Sequence, residues 1–293
     1  MGNVLQENAC LISTKGNKID LIRVLLTIGI VLRHSALIDM SLGTPMFDGI
    51  MRWVMLLTEV CVPIFFVMSG YLFFRNVPED PSSEWFWAKL KTRFLSLFVP
   101  FIIANCIAFG IYFLAIKQFP SMIDGFLGDK WKNPLFVFWK GPINLSLWFI
   151  RELIVVIILS PVIFLIVKHF RWWGVIILGL VWIFKIGPAP IFFFSAGACL
   201  STWKIEPVEK WLMTESRITI KTRAWTYFVY LYHYLLVISI KKALVAWLAP
   251  YNTLQLTGIY LLSFFTTLVI LTVSYYLMKR FLPKLTGIIL GGK

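Results

Sequence analysis

Two residues able to do chemistry share one side of an otherwise greasy segment. In KIDLIRVLLTIGIVLRH, Lys18 to His34, Arg23 and His34 lie eleven positions apart. At about 100° per residue they point within about 20° of one another, and Asp20 and Thr27 fall on the same stripe. An imidazole titrates near neutral pH and can take a proton from a hydroxyl, the task of a general base in group transfer. A guanidinium can hold a phosphate or carboxylate, or pair with Asp20 one turn earlier. Along the axis the eleven residues cover about 16 Å, roughly half the hydrocarbon thickness of a bilayer. If the helix spans a membrane, each buried ionisable group costs at least about 2.5 kcal/mol on insertion scales, which makes these groups functional candidates.

Other charges sit in apolar surroundings. Glu59 is one. Arg151 and Glu152 are adjacent on a predicted helix, so they are expected to find different partners. Glu152 is able either to orient His34 and stabilise its imidazolium or to form half of a structural pair between helices. Arg33 points about 100° away from His34, where it would contact a second substrate or brace another helix. In WTYFVYLYHYLLV, Thr226, Tyr230 and His233 stand at i, i+4 and i+7, as a helix anchor or a substrate contact. Lys89, Lys91 and Arg93 are either positive-inside residues or a seat for the phosphates of a nucleotide-bearing donor.

The elements that must hold these residues are membrane helices. The chain has 293 residues, 59% hydrophobic, 17% aromatic and 14% charged, with a mean hydropathy of +0.81. So little polar surface cannot cover a soluble domain of this size, and the apolar runs are too continuous for an outer-membrane barrel. The sequence predicts an all-α polytopic bundle of about eight spans: 19–38, 49–74, 94–116, 145–167, 172–184, 188–203, 225–249 and 254–278. Pro63 should kink the second, and Ser69-Gly70 should allow a close backbone approach. A tight hairpin is expected between the fifth and sixth.

The net charge is +14, but the basic residues fall in short clusters between spans, which speaks for topology and against nucleic acid. Tail residues Lys15 and Lys18, the joint with Arg75 to Arg93, Lys168 and Arg171, the linker Lys204 to Arg223, and the tail with Lys279, Arg280, Lys284 and Lys293 all lie on one side if both termini are cytoplasmic. The loop with Lys117, Lys130, Lys132 and Lys140 against Asp124 and Asp129 is expected outside. The first apolar segment carries charge and lacks a cleavage site, so it is expected to remain as a helix, after a cytoplasmic tail over 1–17. Residues 1–293 read as one membrane domain with a basic linker at 204–223. Cys10, Cys61, Cys106 and Cys199 have no metal-site or disulfide spacing and read as small core residues. No metal is expected.

These residues together resemble a known family. Arg23, ten intervening residues and His34, with Asp20 three before the arginine, resemble the first-helix signature of the acyltransferase type 3 membrane enzymes. Ser69-Gly70-Tyr71 in PIFFVMSGY is similar to their FFxxSGY segment, KLKTRFLSLFVPF at 89–101 to their basic joint, SLWFIRELIVVIILSP at 146–161 to their LWF segment, and YLYH at 230–233 to their late Tyr-Leu-x-His motif. The resemblance implies transfer of an acyl group, commonly acetyl from acetyl-coenzyme A, to a hydroxyl of a cell-surface glycan or its lipid-linked precursor, in a multi-pass protein of the bacterial cytoplasmic membrane. His34 would be the essential histidine, with Arg23 its companion in the first helix; Glu152 stays a candidate catalytic partner on the reading of the buried charges. The donor would involve Lys89, Lys91, Arg93, Ser69 and Tyr71; the acceptor would involve Arg33, Trp148, Arg151, Tyr230 and His233. Two departures stand out: eight spans where ten are usual, with a hairpin missing between Trp203 and Trp225, and Ser96 where a second arginine would complete an RxxR.

The competing class is a transporter or flippase, in which the same Arg23, His34 and Glu152 form a proton or substrate pathway. It asks for interrupted helices in both halves of the chain, which the sequence alone does not reveal. A structural membrane subunit leaves the Asp20, Arg23 and His34 stripe unexplained.

Overall fold

The computed structural model describes residues 15–36, 43–118, 139–140, 143–219, 222–250 and 252–292. Cys10, the end of the first span at 37–38, Asp124, Asp129, Lys130, Lys132, Lys221 and Lys293 lie outside the described residues. The chain is a multi-pass helical membrane protein, with a two-stranded antiparallel ribbon at one end.

Strand β1 (Lys15–Asn17) leads directly into helix α1 (Lys18–Ser35). Asn17 caps the helix: its side chain accepts from the Asp20 N–H while Asp20 accepts from the Asn17 N–H. This reciprocal arrangement satisfies two of the donors that a helix start leaves open. Asp20 is thereby fixed at the mouth of the helix before it meets any arginine.

Helices α2 (Pro45–Glu59) and α3 (Cys61–Phe74) form the second span, broken at Val60. Pro63 explains the position. A proline cannot donate to the carbonyl four residues earlier and clashes with it, so the break falls at Glu59–Val60. Helix α4 (Ser83–Gln118) is one long rod, and after it a 3₁₀ turn (Leu145–Leu147) opens α5 (Trp148–Ile158) and α6 (Ser160–Ile183). Within α6, Arg171 takes φ 51 and ψ −134, and a Cβ on Gly174 would meet Ile166 Cγ2 at 2.7 Å. Residues eight apart on a straight helix lie about 12 Å apart, so the chain folds back at Arg171. That is the boundary expected between the fourth and fifth spans.

A hairpin at 184–188 leads to α7 (Ala189–Thr202), then come α8 (Glu206–Met213) and β2 (Glu215–Thr219), and α9 (Thr222–Leu248), α10 (Thr253–Phe281) and α11 (Pro283–Ile289) close the chain. Among the described residues, five helical stretches, 45–74, 83–114, 160–183, 222–248 and 253–281, meet the length and apolarity of a membrane span, although 160–183 does so only as two helices folded back at Arg171. Helix α1 is an equally continuous span position that carries more charge, and α7 is shorter.

Because lipid is as apolar as the side chains, helices in a bilayer associate through close packing rather than hydrophobic expulsion. The α3–α7 pair does so with glycine on both sides. A Cβ on Gly70 would lie 2.0 Å from the Phe194 carbonyl oxygen, and one on Gly197 would lie 1.9 Å from that of Val67. Ser69-Gly70 therefore serves the close approach expected, with α7 as the partner. Of the cysteines, Cys61 and Cys199 are buried as expected, whereas Cys106 is exposed. Its position on the outer face of α4 places a small apolar thiol toward lipid.

The basic joints converge at one end. β1 pairs with β2, Lys15 opposite Thr219; Lys168 reaches Asp80 between spans two and three; and the Arg171 guanidinium lies 3.9 Å over the Trp203 ring. At the opposite end the Thr44 and Thr253 hydroxyls share a hydrogen bond. The region 204–219, where the usual hairpin is missing, is a short helix and a strand latched onto the start of α1, with Lys18 over the Trp211 ring at 4.6 Å.

Candidate functional site

Helices α1 and α9 run parallel and hold the site between them. Three contacts in the same order along both fix their register. Arg223 donates to Asp20 at 2.7 and 3.0 Å. The His34 and His233 rings stand 5.2 Å apart. The Lys241 ammonium donates to the Ala36 carbonyl at 2.9 Å, at the C-terminal end of α1. A cation there meets the negative end of the helix dipole and its open carbonyls.

At the end where the basic joints gather, a cavity of about 570 Å³ opens beside α1. Arg23, Arg75, Arg93 and Arg223 line it, together with Ser69, Ser96, Thr226, Tyr227 and Tyr230, over a floor that includes Phe65, Phe149 and Leu153. Asp20, whose side chain is fully buried, binds Arg23 at 2.8 Å and Arg223 at 2.7 Å. One carboxylate thus ties two guanidiniums in place and leaves four against one, an excess positive field in a partly desolvated space. Arg75 Nε is buried without a partner among the described residues. Such a cavity is suited to an anion with several oxygens, because planar guanidinium forks match phosphate geometry.

On α1 the cavity wall runs from Asn17 through Arg23 to Thr27, about 15 Å of helix. Thr27 is 1% exposed, and its hydroxyl has no partner among the described residues. It is a buried donor at the inner part of the cavity.

Residues 17–204 match the acyltransferase domain family. The chain belongs to the acyltransferase type 3 family. It is 30% identical over 167 residues to the succinoglycan biosynthesis protein ExoH of Rhizobium meliloti (strain 1021), an alignment covering 52% of this chain and 43% of that protein. The chain thus spans less than half the length of this curated relative. No solved structure matches. The family region ends before α9, so the wall carrying Arg223, Tyr230 and His233 lies outside it.

Within this acyltransferase fold, the residues singled out by sequence divide into three groups. Arg23, Arg93, Ser69 and Tyr230 line the cavity, as does Ser96, the residue standing in place of a second arginine. His34 and His233 form a separate pair deeper along α1. His34 lies seven residues beyond Thr27, about 10 Å further, and its ring meets His233 and, edge-on at 5.1 Å, Tyr234. It packs against α9 but is not part of the cavity wall. Tyr230, which is, stands 5.8 Å from the His233 ring, so Tyr230 and His233 separate His34 from the cavity. His233 Nδ1 faces the Tyr230 carbonyl at 2.8 Å and that of Val229 at 3.2 Å. Carbonyls only accept, so the proton sits on Nδ1, and Nε2 is left as a buried acceptor without a partner among the described residues. The Tyr230 hydroxyl donates to the Ser146 carbonyl, holding the SLW turn against α9.

The third group lies elsewhere. Glu152 binds Arg151, its chain neighbour, at 2.6 Å, and Arg151 also donates to the Trp139 and Lys140 carbonyls at 3.0 and 2.8 Å. The expectation of separate partners is therefore corrected: in the first turn of α5 the long arginine folds back to the preceding carbonyls and passes its own neighbour. Glu152 is engaged there rather than at His34. Arg33 donates to the Met55 carbonyl at 2.6 Å and so braces α2. Lys89 donates to the Phe73 carbonyl at 2.7 Å, closing the C-terminal turn of α3 instead of facing the cavity. Lys91 points to another groove on α4. Tyr71 is buried outside the cavity wall, and Trp148 is 40% exposed.

Sequence reasoning did not single out Arg75 and Arg223, although both had been counted as topogenic charges. Lys241 was missed altogether; a lysine inside an apolar run was its signal.

Proposed function

We propose that this protein is a membrane O-acyltransferase that moves an acyl group, most simply acetyl, from a coenzyme A thioester to a hydroxyl of a cell-surface glycan or its lipid-linked precursor. The observation that carries the reading is a polyarginine cavity at one end of α1 and a histidine pair further along the same helix. The donor's phosphates bind Arg23, Arg75, Arg93 and Arg223, replacing water with charge-assisted hydrogen bonds. Its long arm runs inward, and the Thr27 hydroxyl donates to a carbonyl of that arm or of the thioester. The succinoglycan name of the relative supports a glycan acceptor.

In the transfer step His34 removes the proton of the acceptor hydroxyl, and the oxygen attacks the thioester carbonyl. The C–O bond forms, the C–S bond breaks, and the proton passes to the departing thiolate. His233, with its proton on Nδ1, presents a free Nε2 through which this one proton can be relayed from His34 to the thiolate. Tyr230 must move aside for the thioester to reach the histidines, so it acts as the gate. Held reactants, rather than any exceptional base, supply most of the rate.

The test uses the full chain in nanodiscs with acetyl-coenzyme A and extracted envelope glycan, measuring thiol release and ester on the glycan by mass spectrometry. Wild type should release thiol in step with ester formation, and His34→Ala should abolish both at unchanged yield of folded protein. Ester formation retained by His34→Ala would remove it from the chemistry. The helix breaks at Val60 and Leu159 keep helical backbone angles rather than unwinding; uptake of unmodified substrate by proteoliposomes would favour a transporter instead.

A further inference from the structure

A second and larger concavity, of about 1130 Å³, lies on the other side of α4, between its first turns, the joint at 80–83 and the face that runs from the end of α5 into α6. Its wall is mostly apolar, with Phe86, Leu90, Phe94 and Phe164 along its length, and its polar contributors include Lys91, Lys168, His169 and Asp80. The large side chains beside it are open to the surroundings: Trp87 is 71% and Leu165 54% exposed. Where α4 enters the bilayer, exposed apolar surfaces of this kind are met by lipid, and an apolar groove there can take hydrocarbon. What makes it more than a lipid-facing dent is where its charges sit.

Lys168 donates to the Glu79 carbonyl and the Asp80 carboxylate, both in the joint that gathers with the basic end of the bundle. The Lys168 ammonium holds the Asp80 carboxyl below its usual range, so the pair is ionised. An ion pair this exposed contributes little, because water solvates both partners almost as well. Lys168 is therefore free to exchange Asp80 for a stronger anion. The His169 Nδ1 is taken by the Leu165 carbonyl at 2.9 Å, which leaves its other nitrogen for a ligand. Lys91 adds a second ammonium within the same wall. Two ammoniums against one displaceable carboxylate, set in the wall of an apolar trough, match a phosphate attached to hydrocarbon.

We infer that this groove binds one anionic membrane phospholipid, its headgroup phosphate held by Lys91 and Lys168 and an acyl chain lying along Phe86, Leu90, Phe94 and Phe164. Ile157 lines both this groove and the polyarginine cavity. A bound chain therefore packs against the side chain that forms the far wall of the proposed donor site, and supports α4 and α5 at their common contact. The site does not depend on the acyltransfer reading, since lipid binding is read without turnover.

The experiment is native mass spectrometry and thermal melting of the full chain in maltoside detergent, titrated with phosphatidylglycerol, phosphatidylcholine or glycerol 3-phosphate. Wild type should take up one phosphatidylglycerol with a preference of at least about fivefold over phosphatidylcholine and should melt higher when it is bound. Lys91→Gln with Lys168→Gln should reduce that preference to about onefold while the lipid-free melting temperature stays as in wild type. Leu90→Trp, which fills the trough and keeps both charges, should lose both lipids. Glycerol 3-phosphate, the headgroup without chains, should not bind. Equal uptake of the two lipids by wild type, undiminished preference in the double variant, or binding of glycerol 3-phosphate alone would each overturn the assignment.

Discussion

Replacing Thr27 with valine separates a structural hydroxyl from a ligand-binding one. The side chains have the same shape and both are branched at Cβ, so packing and rotamer preference change little. In the free protein the Thr27 hydroxyl is buried and unpartnered. A buried donor left unsatisfied costs about 1–3 kcal/mol, so exchanging it for a methyl group should leave stability unchanged or raise it by about 1 kcal/mol. In a chain of this size that corresponds to a melting temperature higher by about 2–4 °C. If the donor arm satisfies the hydroxyl, the same change removes a hydrogen bond of about 1–1.5 kcal/mol on binding, which is about a tenfold rise in KM for the thioester. Stability and affinity therefore move in opposite directions. The assay pairs a thermal melt in nanodiscs with initial rates of thiol release over a donor titration. A loss of stability of more than about 1 kcal/mol would mean that the hydroxyl already has a protein partner; an unchanged KM would mean that the donor never reaches it.

Four further substitutions divide the site from its surroundings. Arg223→Ala leaves Asp20 with Arg23 as its remaining arginine, and losing a charged hydrogen bond at a buried carboxylate should lower stability by about 1.5–3 kcal/mol, read by denaturant or thermal unfolding; unchanged stability would detach α9 from the α1 cap. Arg93→Gln should raise the donor KM several-fold and weaken its salt dependence, whereas Lys89→Gln should leave KM alone and lower the melting temperature, because only Arg93 lines the cavity. Glu152→Gln should keep near wild-type turnover and the same pH profile, since its carboxylate meets Arg151. A turnover loss of a hundredfold or more in that variant would restore it as a partner of the base.

Much of the architecture is legible because each span is an apolar run bounded by charge or by proline. The break before Pro63 and the approach at Gly70 follow from one residue each. The site is less legible, for reasons that differ by residue. Arg75 and Arg223 belong to the cavity, yet in the chain they stand beside span ends with the other topogenic arginines and lysines, and a charge count gives no angle of approach. The helical wheel put His34 on the side of Arg23, and the two do share α1, but angle and rise give no account of Tyr230 and His233, which come from a helix nearly two hundred residues later. Glu152 was misjudged because the rule that neighbours face apart concerns Cβ directions. An arginine is long enough to reverse over one turn when unsatisfied carbonyls draw it back.

The dependence of the site on α9 carries a consequence for how it works. Helix α1 alone supplies a guanidinium, a hydroxyl and an imidazole in a line, but α9 determines whether they communicate. Its Arg223 sets Asp20, its Tyr230 closes the inner cavity, its His233 faces His34, and its Lys241 closes the far end of α1. The ends of this pairing are held by charge and the middle by aromatic rings. Ring contacts of this kind contribute about 0.5–1.5 kcal/mol each, and the Tyr230 hydroxyl adds a buried hydrogen bond to the Ser146 carbonyl, worth about 1 kcal/mol. In the proposed mechanism a rotation of Tyr230 that releases the Ser146 carbonyl joins cavity and histidines, while the Asp20–Arg223 and Lys241 contacts keep α9 in register. A rigid helix with one movable ring would let the proposed donor site and the proposed base, about 16 Å apart on α1, serve one reaction.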